Sequence, residues 1–403
     1  MERNQAKREA DFFNEHLLSD CIRFWMQSDL LDREYGGYLT AVDRTGKCYN
    51  SEKSVWFQGR GLWTFSALMT RYGVRDEWME AAQLGKKFLE EHCVDTDGRM
   101  FFTTQRDGTP LRKRRYFFSE SFFVAGMAEY GNATGDRDAL LKAETCFAQM
   151  LAIYRDPKSD PYQVTPKSFV SGRDISPIMV LLNGAQILRR TVPERAAHYS
   201  EVIREMVDDM FSYHVKPEMR CVLESVGVDG AFRDTPAGRT MNPGHSLENA
   251  WFLLCEAVYQ KDEELKKRAL EIIDWALERG WDKEYGGIYY FVDVKGCPCD
   301  PLEWDMKLWW VHNEAMIATL YAYALTGESR YWDWFTKIRD YAFSHFHDTE
   351  YGEWYGYLHR DGIVSHMQKG SHWKGPFHLP RCLMICAKIF EYMAENKEQE
   401  SLL

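Results

Sequence analysis

The stretch Asp32-Arg-Glu-Tyr-Gly-Gly37, followed by Tyr38-Leu-Thr40, decides the fold because the chain returns to it. Asp282-Lys-Glu-Tyr-Gly-Gly287 precedes Ile288-Tyr-Tyr290, and Asp348-Thr-Glu-Tyr-Gly352 precedes Glu353-Trp-Tyr-Gly-Tyr-Leu358. Weaker versions begin at Asp95 (Asp-Thr-Asp-Gly98), Asp156 (Asp-Pro-Lys-Ser-Asp160) and Lys216 (Lys-Pro-Glu-Met219). The six starts are roughly 60–66 residues apart, and a fixed period is the mark of a repeat architecture. Gly-rich turns followed by alternating aromatics predict short β-hairpins.

Working outward from the turns, each period holds two helical segments. They are expected near 6–28 and 52–72, 75–92 and 117–133, 137–154 and 174–190. The remaining pairs are expected near 195–213 and 244–259, 262–279 and 308–325, 329–346 and 377–395. Apolar spacing at i, i+3, i+4 supports them, as in Phe65, Leu68 and Met69 or Ala269, Ile272 and Ile273. Gly131-Asn-Ala-Thr-Gly135 and Thr326-Gly-Glu-Ser329 are stop signals between helices. A helical hairpin needs a neighbour to cover its apolar face, and six hairpins can close into a ring. The expected fold is all-α: an (α/α)6 toroid with short β-hairpin loops, a single domain over residues 1–403. An open solenoid is the alternative.

Composition narrows the function. The 403 residues carry Lys+Arg 50 against Asp+Glu 61, a net −11, so no basic surface for nucleic acid is expected. No apolar run reaches the ~18 residues of a membrane span. Residues Met1 to Phe13 alternate charges without an apolar signal core, and ten scattered cysteines form no disulfide framework, which predicts a cytoplasmic protein. Aromatic residues make up 15% of the chain, enough for a large core or for stacking on sugars. The cluster Arg112-Lys-Arg-Arg115 is a solvated turn or an anion site.

The more apolar helix of each pair should face the centre: Val55–Thr70, Phe118–Ala128, Pro177–Leu188, Leu247–Val258, Leu308–Ala322 and Pro380–Phe390. These segments carry Arg60, Glu120, His245, Glu248, Glu314, His378 and Arg381. His245 and Glu248 are i, i+3, as are His378 and Arg381, so each pair projects together. Pro243 and Pro376 put both histidines at helix N-termini. The positive end of the helix dipole disfavours imidazolium there, and a neutral histidine is what a general base requires. Residue chemistry leaves the plainer readings open: satisfied core histidines, Glu314 paired with Lys307, Arg60 in a buried ion pair, Trp304, Trp309 and Trp310 as core. His312 lies off the face of Glu314 and is supportive at most; His366 and the remaining histidines fall in loops or outer helices. Two rival classes also stay open, a glycoside hydrolase using Glu248 and Glu314 and a binding protein without catalysis.

At these residues the chain resembles the N-acylglucosamine 2-epimerase family, also described in animals as renin-binding protein. The similar stretches are Trp56-Phe-Gln-Gly-Arg60, Phe118-Ser-Glu-Ser121, Asn242-Pro-Gly-His-Ser-Leu-Glu248, Leu302–Trp310, His312–Met316, Glu350–Leu358 and Phe377-His-Leu-Pro-Arg-Cys382, in order over most of the chain. The resemblance implies an (α/α)6 barrel and reversible C2 epimerisation of N-acetylglucosamine and N-acetylmannosamine. It further implies His245 and His378 as the proton-transferring pair and Arg60 as the stabiliser of negative charge on O1. Glu248, Glu314, Arg381, Trp309, Trp63, Trp373 and Glu120 are then expected around the sugar. No metal or redox cofactor is required; ATP or another nucleotide is an expected activator, with Arg112–Arg115 as its candidate site. A homodimer in sialic acid metabolism is implied. Cellobiose 2-epimerases and mannose isomerases share the barrel but carry a further histidine where this chain has Ile175-Ser-Pro-Ile-Met-Val-Leu-Leu-Asn183; Trp373 points the other way, towards those enzymes.

Overall fold

A computed structural model describes residues 1–114, 116–163, 172–395 and 399–402. Its helices are α1 (Arg3–Glu15), α2 (Arg23–Gln27), α3 (Val55–Tyr72), α4 (Asp76–His92), α5 (Phe118–Thr134), α6 (Arg137–Arg155) and α7 (Ile175–Thr191). They continue with α8 (Ala196–Asp209), α9 (Pro243–Gln260), α10 (Glu263–Gly280), α11 (Trp309–Thr326), α12 (Ser329–His345) and α13 (His378–Glu395). A π turn, His16–Ile22, joins α1 to α2, so the two act as one bent outer helix.

Local sequence explains where these helices start and stop. The Asn242 side chain caps α9 by accepting the His245 backbone N–H at 3.1 Å, with Pro243 in the first turn. Asp262 caps α10 in the same way through Leu265. Gly135 and Gly327 end α5 and α11 in the left-handed conformation, which costs a residue without Cβ little. α10 buries a stripe that includes Leu265, Ala269, Ile272, Ile273 and Ala276, and leaves its charges outside. α11 is buried on nearly every face, from Trp309 through Ala322. One apolar stripe makes an outer helix and apolar character all round makes an inner one.

The inner helices contact one another in the order α3, α5, α7, α9, α11, α13. Of the outer helices, each packs most closely on the one that follows it, so α13 has to take α1, the helix at the other end of the chain. The ring is therefore closed by a hairpin made from the first and last helices. Phe13 of α1 stacks on Phe390 of α13. Arg71 of α3 reaches Glu391 of α13 at 2.8 Å.

The repeated turn has one electrostatic design. Asp32, Asp282 and Asp348 are all buried. Asp32 meets Lys53 and Arg106, each at 2.9 Å. Asp282 meets Lys307 at 2.8 Å and Arg360 at 3.0 Å. Asp348 meets Lys369 at 3.1 Å and Arg44 at 2.7 Å. Opposed by desolvation, these cations nevertheless hold the Asp32 carboxyl down to about 2 and the other two lower still. Lys307 is thus committed to Asp282 and not to Glu314.

The short strands aim the inner helices. Lys53–Ser54, leading into α3, pairs with Phe101–Thr104, and Gly172–Asp174, leading into α7, pairs with Ser225–Gly227. Thr240–Met241, leading into α9, pairs with Val292–Asp293, and Lys307–Leu308, leading into α11, pairs with Tyr357–Leu358. Four inner N-termini, those of α3, α7, α9 and α11, are each pinned by a strand from further along the chain. The result is a ring of helix starts around one mouth.

Candidate active site

That mouth opens into a cavity of about 730 Å³. Arg60, His245, Glu248, His378 and Arg381 line it, together with Trp309 and Trp373. Seven residues expected at the site from sequence therefore converge from α3, α9, α11, α13 and the loop before α13.

The two histidines are held in the same manner. His245 lies in the first turn of α9, and its Nδ1 is 2.9 Å from Glu224 Oε2. His378 is the first residue of α13, and its Nδ1 is 2.8 Å from Glu314 Oε1. A carboxylate beside Nδ1 fixes the proton on that nitrogen and leaves Nε2 for the cavity. Pro376 lies outside α13 and Pro380 within its first turn. The ring of Trp310 touches both histidines, with centroids 5.2 Å from His245 and 5.7 Å from His378.

Their electrostatics diverge, which corrects the expectation of two neutral histidines. Burial lowers His378 well below the ordinary histidine value, and Arg381 and Arg60 push it further. Burial also opposes charge on His245, but Glu224, with help from Glu248 and Glu314, more than offsets it and raises the value. The net surroundings matter more than the helix end: Glu224 faces His245, whereas two guanidiniums face His378. At neutral pH one imidazole is ready to take a proton and the other holds one more readily.

Arg60 is buried among rings, 4.0 Å from the Phe122 centroid, and its Nη1 donates to the Trp373 carbonyl at 2.7 Å. Among the described residues it has no carboxylate within ion-pair distance. Burial lowers it to about 9, so it remains a cation at neutral pH. A cation kept without a counter-ion beside an open cavity is suited to a developing negative charge.

Glu248 and Glu314 share one cation. Arg381 Nη2 donates to Oε1 of both, at 2.7 Å for Glu314. Glu314 also accepts from Trp251 Nε1 at 2.8 Å and is wholly buried behind His378. These carboxylates do not flank an open space, as a hydrolase pair must. Glu314 therefore positions His378 and does not itself line the cavity; Glu248 does.

Besides Glu314, two expected sugar contacts lie elsewhere. Glu120 is buried against Arg99 at 2.6 Å, and Arg99 continues to Asp160 at 2.6 Å. Trp63 packs behind Phe377, centroids 5.1 Å apart, outside the cavity lining. His312 is structural: Nδ1 lies 2.8 Å from the Leu308 carbonyl and Nε2 accepts the Ile288 N–H at 3.0 Å. Lys113 is held by Asp95 and Asp97, and Arg114 lies over Phe102; Arg115 lies outside the described residues.

Sequence reasoning missed Glu224, which sits in a loop with no motif around it. It also missed Tyr290, Tyr357 and His366, all in the cavity wall. Tyr290 and Tyr357 belong to the aromatics after the repeated turn. That alternation was a signal for hairpins, not for which side chains turn inward. Burial pushes the Tyr357 hydroxyl up to about 12. On α7 the wall is Met179, Val180, Asn183 and Gly184, with no ionisable group.

Fold and cavity together define a class: an α/α toroid with a central cavity that holds two carboxylate-supported histidines and a buried arginine. The sequence model of the N-acylglucosamine 2-epimerase family matches residues 37–380. The N-acylglucosamine 2-epimerase of Bos taurus is 35% identical over 392 residues, 96% of this chain and 92% of its own. That of Mus musculus is 36% identical over 397 residues, 96% of this chain and 93% of its own. The chain belongs to the N-acylglucosamine 2-epimerase family, and it is an enzyme of the epimerase type. Among solved structures, a cellobiose 2-epimerase from Spirochaeta thermophila DSM 6192 superposes with a TM-score of 0.82 at 23% identity, covering 97% of this chain and 98% of its own. A D-mannose isomerase superposes with a TM-score of 0.80 at 18% identity, covering 93% and 96%. At such identities these likenesses establish the toroid. Among the described residues no helix is long and apolar enough to cross a membrane.

Proposed function

We propose that the protein interconverts N-acetylglucosamine and N-acetylmannosamine by removing and returning the C2 proton of the open-chain sugar. The observation that carries this reading is the pair of histidines in one cavity, each with Nδ1 on a carboxylate, tuned in opposite directions. The C1 aldehyde makes the C2 proton acidic, and its loss puts negative charge on O1. His378, neutral, takes the proton through Nε2. Arg60 meets the charge on O1, a preorganised donor of a kind commonly contributing roughly 3–4 kcal/mol. His245 delivers a proton to the other face and inverts C2. The reverse direction starts from the swapped protonation states.

Glu224 and Glu314 orient the two imidazoles. Trp309 and Trp373 offer ring surface to the sugar, and Arg381 and Glu248 offer polar groups. No step in this scheme calls on a metal, a nucleotide or a redox group. The α7 wall, with its Met179 and Val180 and no ionisable group, offers an apolar surface to the methyl of an acetamido sugar. The setting that goes with this reading is amino-sugar and sialic acid metabolism, carried out in the cytoplasm by a homodimer. Its ten cysteines are free thiols, which suits a reducing compartment.

The test is incubation with N-acetylmannosamine in deuterated water. Deuterium at C2 together with formation of N-acetylglucosamine is expected. Absence of both, with exchange into cellobiose or mannose instead, moves the enzyme to the other branch of the barrel. Release of a shorter sugar would make it a hydrolase.

A further inference from the structure

On the outside of the ring, at the seam between first and last hairpins, three metal-binding side chains meet. His16 and Asp20 lie on the π turn between α1 and α2, and His347 follows α12. One donor atom from each lies within 4.8 Å of the others, and all three residues are half-buried. The π turn places His16 and Asp20 on one side, and such turns recur at functional sites.

Two further observations single out this cluster. The Nε2 of His347 is shielded from solvent yet makes no hydrogen bond among the described residues, although Asp20 Oδ2 is 3.4 Å away. A sheltered nitrogen without a partner is uncommon. The other is that each group is held by its surroundings. The Glu353 N–H donates to Asp20 Oδ2 at 3.2 Å. His16 is set between Phe12 and Phe343, centroids 4.4 and 4.9 Å away, and its ring stands at 85° to that of His347. Supported imidazoles and a hydrogen-bonded carboxylate are what a metal site needs around its ligands.

We infer that His16, Asp20 and His347 form a binding site for a borderline divalent transition metal, with Zn²⁺ the natural occupant, that staples the ring shut. Two imidazoles and a carboxylate suit Zn²⁺, leaving a position for water on the solvent side. The site is separate from the catalytic cavity. It joins segments from opposite ends of the chain, so bound metal adds to closure without touching the sugar.

The experiment uses full-length, chelator-treated protein. Calorimetric titration with zinc chloride should give one equivalent of binding. Cobalt(II) substitution should give ligand-field bands of N/O coordination with no sulfur-to-metal charge-transfer band. Zinc should raise Tm in the parent enzyme and fail to do so in His16→Gln and His347→Gln. Each of these should weaken binding by at least about tenfold, a loss already reached when only a supporting contact to a ligand is removed. Asp20→Asn, which keeps an oxygen for the Glu353 N–H, should behave likewise and guards against misfolding. The proposal is overturned if no zinc binds, if a cobalt–thiolate band appears, or if binding survives both histidine variants and disappears in His378→Asn.

Discussion

Replacing Glu224 by Gln tests the electrostatic division between the histidines most directly. The amide keeps the size of the carboxylate and still accepts from His245 Nδ1, but the negative charge is gone. A hydrogen bond to a charged group is worth about 1.5–3 kcal/mol. The side chains are 23% and 19% exposed, so solvent screens the pair and the lower end applies. The amide keeps a neutral hydrogen bond of about 0.5–1.5 kcal/mol, so the charge-assisted part alone is lost and the His245 value should fall. Activity in this scheme needs His378 neutral and His245 protonated, so kcat/KM against pH is a bell. Its acid limb follows His378 and its alkaline limb follows His245. In Glu224→Gln the alkaline limb should move to lower pH while the acid limb stays. The assay is epimerisation followed from both sugars across the pH range, with C2 deuterium exchange as an independent readout. An alkaline limb that does not move would refute the assignment of His245 as the proton donor tuned by Glu224.

Other outcomes follow from the same geometry. His378→Asn and His245→Asn should each abolish net epimerisation while leaving C2 exchange in only one of the two sugars; exchange into both from either variant would refute the two-base scheme. Arg60→Met should lower kcat roughly 10²–10³-fold with a modest change in KM, measured by steady-state kinetics. Asp282→Ala should cost about 3–5 kcal/mol, because it leaves Lys307 buried without its partner, read from the urea midpoint. Asp282 is depressed in the folded state, so its contribution is present above its unfolded value near 4 and disappears as pH falls through the folded one. His312, whose value burial lowers to about 3, acts in the opposite sense to a paired histidine. Below pH ~6.5 the unfolded state takes up a proton that the folded state refuses, so stability declines as pH falls towards 3, by on the order of 4 kcal/mol. A His312→Gln variant should be less stable at pH 7 but flatter over this window in thermal melts.

Much of this architecture is written in the chain. The Asp-x-Glu-Tyr-Gly turn marks three of the six places where an outer helix ends, and at each of the three the aspartate is buried against two cations. All-round apolar helices such as α11 announce that they face a core. His245, with Asn242 and Pro243 before it, is recognisable as the start of a helix, and so is the convergence of His245, Glu248, His378 and Arg381. What remained hidden depends on which strands meet in space. Glu224 becomes a partner of His245 only because Gly172–Asp174 pairs with Ser225–Gly227 and Thr240–Met241 follows. Glu120 is expected at the site because it lies on an inner helix in the stretch Phe118-Ser-Glu-Ser121, but its neighbours Ser121 and Phe122 line the cavity instead. One position along, a helix turns its side chain by about 100°, enough to face Arg99 in place of the cavity. The opposite shifts of the two histidines likewise follow from cross-ring contacts, not from their matching positions at helix starts.

The pairing of α1 with α13 has a consequence for how the enzyme is born. Domains tend to fold from the N-terminus as the ribosome delivers them, at ~5–20 residues per second. The apolar stripe of α1, with Ala6, Ala10 and Phe13, has its main partner in the helix that begins at His378. For roughly twenty seconds to more than a minute of synthesis at that pace, this stripe has nothing to dock on. The same late helix brings His378, one of the two histidines that line the cavity. Nascent chains should therefore hold α1 exposed to chaperones and be inactive until translation is nearly done.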